Sequence, residues 1–163
     1  MSNLWPSRIS GSCSLAILST VAVVLALSVS QTFADDVRIG LPNLPPGTVR
    51  YKLVYLTLEG GVTSDPTDNE VAAGSEAIGI CQSGCGKSGT AQVLMVGVGF
   101  CVFEDNSVRV GDYVGVSASD RSLCKDRGES YPTNGQVIGR VLDLRNSPRG
   151  TFPILLLTRA FSP

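Results

Sequence analysis

The sequence predicts an all-β domain: a small sandwich or partly open barrel of short antiparallel strands with a long disulfide-tied loop. Two observations predict it. No apolar spacing sustains an amphipathic helix beyond about two turns. Short apolar runs are separated instead by turns rich in the chain's 18 glycines, the pattern of sandwiches and barrels. A third observation, the even set of cysteines that follows the N-terminal segment, supplies the staples that small exported domains use.

The N-terminal segment is read first because it sets the compartment. Arg8 is the only charged side chain before Asp35, and LAILSTVAVVLALSV (Leu15–Val29) is apolar apart from Ser and Thr. A basic start, an apolar run of about 7–15 residues and a small residue at the exit are the parts of a secretory signal. Cleavage is expected after Ala34. The alternative, an uncleaved N-terminal membrane anchor, wants roughly 20 apolar residues, and this run is shorter. Cys13 precedes the run, the wrong side for a lipid-attachment cysteine. The expected organisation is a signal peptide over 1–34, an extended leader or linker over 35–48 and a single β-domain over 49–163. The expected location is exported, periplasmic or extracellular, with no membrane contact by the mature form.

The elements follow in order. DDVRIGLPNLPPGT (Asp35–Thr48) carries three prolines and no helical period, which makes it an extended leader. In VRYKLVYLTL (Val49–Leu58), Val49, Tyr51, Leu53 and Tyr55 share one face at period two, predicting a strand ended by Glu59-Gly60-Gly61. TSDPTDNEVAAGSE (Thr63–Glu76) is turn-rich. Asp65, Asp68, Asn69 and Glu70 offer oxygens to calcium, but their spacing is not that of an EF-hand, and acidic residues beside a proline form turns. AIGIC (Ala77–Cys81) is a strand. Ala91–Phe103 is a long bent strand or two short ones, with Gly97 and Gly99 marking the bend. After the turn Glu104-Asp105-Asn106, VRVGDYVGVSAS (Val108–Ser119) sets Gly111-Asp112 between two apolar runs, a hairpin signal. Asp120–Gly135 is a long ordered loop. GQVIGRVLDL (Gly135–Leu144) is a strand, NSPRG a turn, and TFPILLLTRAF (Thr151–Phe161) the closing strand. Pro153 puts the start of that strand at an edge or an irregularity.

Four cysteines follow the signal segment: Cys81, Cys85, Cys101 and Cys124. Three pairings are open to them. Cys101–Cys124 and Cys81–Cys85 are favoured, the second because Gly84 permits the tight turn. A four-thiolate metal site wants close pairs at both ends, which Cys101 and Cys124 do not provide.

Histidine is absent, which excludes Ser-His-Asp and Cys-His catalysis and His-bearing zinc sites. Catalysis would require carboxylates or a Ser-Lys pair drawn from Lys52, Lys87 and Lys125. Asp112, Asp120, Asp126 and Glu129 are the candidate carboxylates for a secreted hydrolase. Arg121, Lys125 and Arg127 interleave with them, so an ion-paired surface is the simpler reading. CQSGCGKSGT (Cys81–Thr90) ends like a phosphate-binding loop. Cys81 stands where that loop needs its first glycine, and no helix follows to complete an anion site. No basic cluster marks a nucleic-acid partner. The sequence therefore assigns no catalytic residue, no cofactor and no metal.

The stretch from Ala91 to Leu157 carries C-V-F-E-D, then V-G-D-Y-V-G-V-S, then Y-P-T-N-G-Q-V-I-G-R-V-L. In this it resembles uncharacterised secreted and surface β-domains of bacteria and phages. It is similar, more weakly, to β-modules beside the self-cleaving chaperone domains of tail spikes and fibres. The resemblance implies a non-enzymatic structural, surface or fibre-like interaction module, whose partner is itself or another envelope protein. A small-ligand-binding domain is the alternative, beside the hydrolase. The motif positions have folding roles: positive φ at Gly111, backbone hydrogen bonds to Asp112, a turn at Gly135, and close backbone approach at Gly139. Val137, Ile138, Val141 and Leu142 are core candidates. Tyr131 is the aromatic best placed to touch a partner.

Overall fold

The computed structural model describes residues 36–67, 71, 74–144 and 150–157. The signal segment, Asp68–Glu70 of the calcium reading, most of the NSPRG turn and the end of the closing strand lie outside the described residues. No helix occurs among the described residues.

Among the described residues, nine strands form one curled antiparallel sheet, a half-barrel. They are β1 (Val37–Pro42), β2 (Leu53–Leu56), β3 (Val62–Thr63), β4 (Gly79–Ser83), β5 (Thr90–Val102), β6 (Tyr113–Val116), β7 (Cys124–Asp126), β8 (Val137–Val141) and β9 (Thr151–Leu156). Their order is β3-β2-β4-β5-β9-β8-β6-β7, with β1 added to β5. The partly open barrel, rather than a two-sheet sandwich, is the form realised.

The 13-residue β5 organises the rest. Its first half pairs with β1 and β4, and its second half, from Gly97 onward, pairs with β9. The change of partner falls at Gly97, whose φ is +115°. A side chain there would collide with the Asp36 carboxylate, which accepts a hydrogen bond from the Val98 amide at 3.0 Å. Glycine is required by both the backbone angle and the space.

Two apolar clusters result. The larger fills the concave side with Leu53, Tyr55, Ile80, Leu94, Cys101, Phe103, Val114, Cys124, Ile138, Val141, Ile154 and Leu156. The smaller lies behind the first half of β5 and contains Val54, Val62, Cys81, Ala91 and Val93. The sheet is thus covered on both faces near β2 and β4, where Leu53, Val54 and Tyr55 are buried in succession.

Several expectations are corrected. The leader is extended, as its prolines require, but Arg38–Pro42 pairs with Leu94–Thr90; the first half of β5 offers backbone groups that need partners. The strand expected from Val49 starts only at Leu53. Tyr51 has φ +64° and Val49 is exposed, and two-sided burial replaces the alternation that the sequence displayed. Val108–Val110 is not a strand, so no hairpin forms at Gly111-Asp112. The Gly111 amide donates instead to Val141 O at 2.8 Å, and β6 pairs with β7 and β8. The loop expected over Asp120–Gly135 contains β7. Leu142 is exposed, because β8 has already ended at Val141.

Pro153 sits inside the sheet, between β5 and the end of β8. Its carbonyl accepts the Leu142 amide at 3.0 Å. In an extended strand a residue's nitrogen points to the same side as its carbonyl, so the missing N–H faces the carbonyl of Leu142, one residue past the end of β8, and the proline costs the sheet one bond at the margin of that ladder. Gly139 lies against β9 so closely that a side chain would collide with Leu155 O.

Both disulfides are formed. Cys101–Cys124 spans 6.2 Å between Cα atoms and ties β5 to β7, while Cys81–Cys85 spans 6.1 Å and closes a tight loop. Their loop lengths predict unequal worth: about 3 kcal/mol for the longer and about 2 kcal/mol for the shorter on the chain-entropy model. Urea unfolding of the two double Cys→Ser variants checks this. The Cys101/Cys124 variant is expected to show the larger drop in midpoint, and a reversed ranking would refute the loop-length account.

Candidate functional site

The loop Cys81–Ser88 is held by the segment before it. Asn43 is buried; its side-chain amide donates to Gly84 O at 2.8 Å and Ser88 O at 3.0 Å. Its backbone amide donates to Gly89 O at 2.8 Å. Thr48 Oγ1 donates to Asn43 Oδ1 and accepts from the Gly86 amide at 3.2 Å, while the Thr48 amide donates to Gly86 O at 2.8 Å. A phosphate cradle needs amides aimed outward and a helix N-terminus behind them. Here the Gly86 amide is taken by Thr48, and the chain continues into β5. Lys87 is exposed on the rim. Sequence reading passed over Asn43 and Thr48, since nothing in a Pro-rich stretch marks which polar residue will be buried.

Of the four weighed carboxylates, the fold gathers three. Asp112 lies just before β6 and is only 7% exposed. Its backbone amide donates to Arg109 O at 3.3 Å, and its carbonyl accepts from the Val141 amide at 3.0 Å. Asp126 ends β7; its two oxygens accept the Gly128 amide at 2.6 Å and the Arg109 amide at 3.2 Å. Asp112 and Asp126 line one concave surface. Burial first, and the Asp126 charge second, push the Asp112 carboxyl above the usual carboxylate range, against the pull of Arg109. Arg109, Glu129 and Arg140 line the same concave surface. Arg140 lies 4.0 Å over the Tyr113 ring, and Tyr131 packs edge-on against Tyr113 at 5.2 Å between centroids.

Asp120 belongs elsewhere. It accepts from Ser122 N at 2.9 Å and Ser122 Oγ at 2.6 Å, with Lys52 Nζ 3.6 Å away. The Ser122 bonds lead in holding its carboxyl below the usual range, with help from Lys52. The same contacts bring a lysine to a serine, since Lys52 Nζ donates to Ser122 Oγ at 2.9 Å. A Ser-Lys nucleophile must give its proton to the amine. The direction here is the reverse: the amine donates, and the hydroxyl proton goes to Asp120. Lys125 pairs with Glu104 at 3.1 Å. Among the described residues no group of three or more Cys, Asp or Glu side chains could hold a metal ion.

The motif glycines have local roles. Gly111 and Gly135 adopt φ of +89° and +78°, and Gly135 adjoins Arg127, which donates to Asn134 O at 2.8 Å. Tyr131 is 46% exposed.

The feature that sequence reading missed is the outer face of β5, β9 and β8. Register sets Val98 beside Leu155, Leu155 beside Arg140 and Arg140 beside Tyr113. The adjacent row runs from Phe100 to Pro153 and on to Leu142. Val98, Phe100 and Leu142 are 47%, 37% and 40% exposed, and Tyr51 packs on Phe100 at 5.6 Å. The clue lies in GVGF: with glycines at 97 and 99 on the buried face, period two must turn Val98 and Phe100 outward.

No protein-family model matches the chain, and neither a curated protein nor a solved structure matches it.

The Asn43 clamp yields a test. Asn43→Ala strands two loop carbonyls and is expected to cost about 1–3 kcal/mol, the range for buried groups left unpaired. Lys87→Ala is expected to change stability by less than about 0.5 kcal/mol, as for an exposed surface side chain. Denaturant titration of both variants decides it, and equal losses would show that the loop does not depend on Asn43.

Proposed function

We propose that this chain is an exported, non-enzymatic β-domain that works by docking the outer face of β5, β9 and β8, first of all against a second copy of itself. The carrying observation is the outward row of Val98, Phe100, Pro153 and Leu142, continued through Arg140 and Tyr113 to Tyr131. Contiguous apolar surface rimmed by polar groups is how interaction sites present themselves.

Two further observations support the reading. The sheet edges are poorly suited to adding strands. β3 has two residues and β7 three, with Lys125 and Asp126 among them. β1 carries Arg38, a bulge between Val37 and Arg38, and Pro42 at its end. Charge, bulges, proline and shortness all block edge pairing, which leaves a face as the route of association. The two disulfides are consistent with an oxidising, exported location. The resemblance to surface and fibre β-modules points the same way, by analogy of pattern.

Light scattering over a concentration series tests the docking face. The wild-type protein is expected to associate, and Phe100→Ser to shift it towards monomer while its unfolding midpoint stays nearly unchanged. A wild-type monomer at the highest concentrations would overturn self-association. An equal association constant for Phe100→Ser would move the contact away from this face.

A further inference from the structure

We propose that Cys81–Cys85 is a thiol-exchange site: an external thiol opens it through Cys85, and it closes again, while Cys101–Cys124 and the sheet stay intact. The docking reading is not needed for it.

Access singles out one sulfur. Cys81, Cys101 and Cys124 have no exposed surface, whereas Cys85 is only half-buried. Exchange requires a thiolate to reach one sulfur of the bridge, and exposed bridges are the labile ones. Attack therefore falls on Cys85. Cys101–Cys124 lies within the main core and presents no sulfur to a reagent.

The ring that the bridge closes is held without it. The Cys81 amide donates to Lys52 O at 3.1 Å, and its carbonyl accepts the Tyr51 amide at 2.7 Å. Gln82 O accepts from Arg50 Nε at 3.1 Å, and Gln82 Nε2 donates to Phe100 O at 3.2 Å. Ser83 pairs with Gln92, and Gly84 O is taken by Asn43. Beyond Cys85, both backbone groups of Gly86 are bonded to Thr48. Opening the bridge thus frees little more than the Cys85 side chain, and the backbone keeps the two sulfurs close for reclosure.

The released Cys81 sulfur also has a place. It sits among Val54, Val62, Ala91 and Val93, where an uncharged thiol packs as a small hydrophobe. Thr48 Oγ1 is 3.6 Å away. That hydroxyl gives its own proton to Asn43 Oδ1, so towards Cys81 it can only accept, and an S–H is the donor it suits.

With a dithiol as reagent the steps balance. Its thiolate attacks Cys85 Sγ and forms a mixed disulfide. The Cys81–Cys85 bond breaks, and its electron pair leaves on Cys81 Sγ, which takes up the proton that the reagent released. The second thiol then attacks the reagent's own bridged sulfur and expels Cys85, which is protonated in turn. The protein gains two electrons and two protons, and the reagent becomes its cyclic disulfide. The reverse sequence, with oxidised reagent, closes the bridge.

The experiment treats the native protein with increasing dithiothreitol, quenches with iodoacetamide without denaturant, and locates bridges and adducts by tandem mass spectrometry while circular dichroism follows the sheet. Cys81–Cys85 is expected to open first, with the sheet signal kept. Cys85 should be labelled at least about tenfold faster than Cys81, because labelling of a buried thiol waits on local opening. Exchange into oxidised dithiothreitol should restore the same bridge. A Cys81–Cys85 bridge that resists reduction until the sheet is lost would overturn the proposal. So would Cys101–Cys124 opening first or together with it, or a first adduct on Cys81. Cys85→Ser leaves Cys81 as a buried thiol and is expected to stay unlabelled in the native state; labelling at the wild-type Cys85 rate would also sink the assignment. The wild-type pattern decides the matter even where the variant fails to fold.

Discussion

The bend of β5 at Gly97 is the constraint on which the other elements depend. A single strand of 13 residues could not serve two sets of neighbours if it ran straight. At Gly97 it exchanges β1 and β4 for β9, and only glycine tolerates both the positive φ and the Asp36 carboxylate lying where a side chain would be. The bend curls the sheet into a half-barrel. It brings Cys101 within reach of Cys124 and so fixes β7 and the loop beyond it.

The two halves of β5 have different surroundings. The first half is covered on both sides, by the main core and by the smaller cluster with Val54, Cys81 and Val93. The second half is covered on its concave side only, where Gly99 lets Leu94 and Gln82 crowd close. Its large side chains consequently face outward. A strand with glycines inside and Val98 and Phe100 outside inverts the usual arrangement of an antiparallel sheet, and that inversion is what gives the convex face its exposed apolar row.

Buried polar groups set the remaining details. Asn43 satisfies a glycine-rich loop that has few side chains to satisfy itself, and converts a sequence resembling an anion cradle into a packed turn. Asp112 and Asp126 do the opposite: they concentrate like charges on one surface, beside Arg109 and Arg140. Both rest on the rule that a buried polar group must find a partner. Asn43 finds it in carbonyls of the chain, and Asp126 in the amides of Arg109 and Gly128.

The sequence by itself determined the fold class and most strand positions, and favoured among three cysteine pairings the one that forms, because these follow from local signals: period-two alternation, glycine and proline punctuation, and loop lengths between thiols. It did not determine where β2 begins, that Arg38–Pro42 joins the sheet, or that Val108–Val110 stays out of it. Those outcomes depend on which backbone groups another part of the chain leaves unpaired. The candidate site divides in the same way. Asp112, Asp126 and Tyr131 were legible as residues of interest, whereas their convergence, the separation of Asp120 and the burial of Asn43 were not. A carboxylate's role is set by what stands opposite it across the sheet, and only the tertiary register of β6, β7 and β8 decided that.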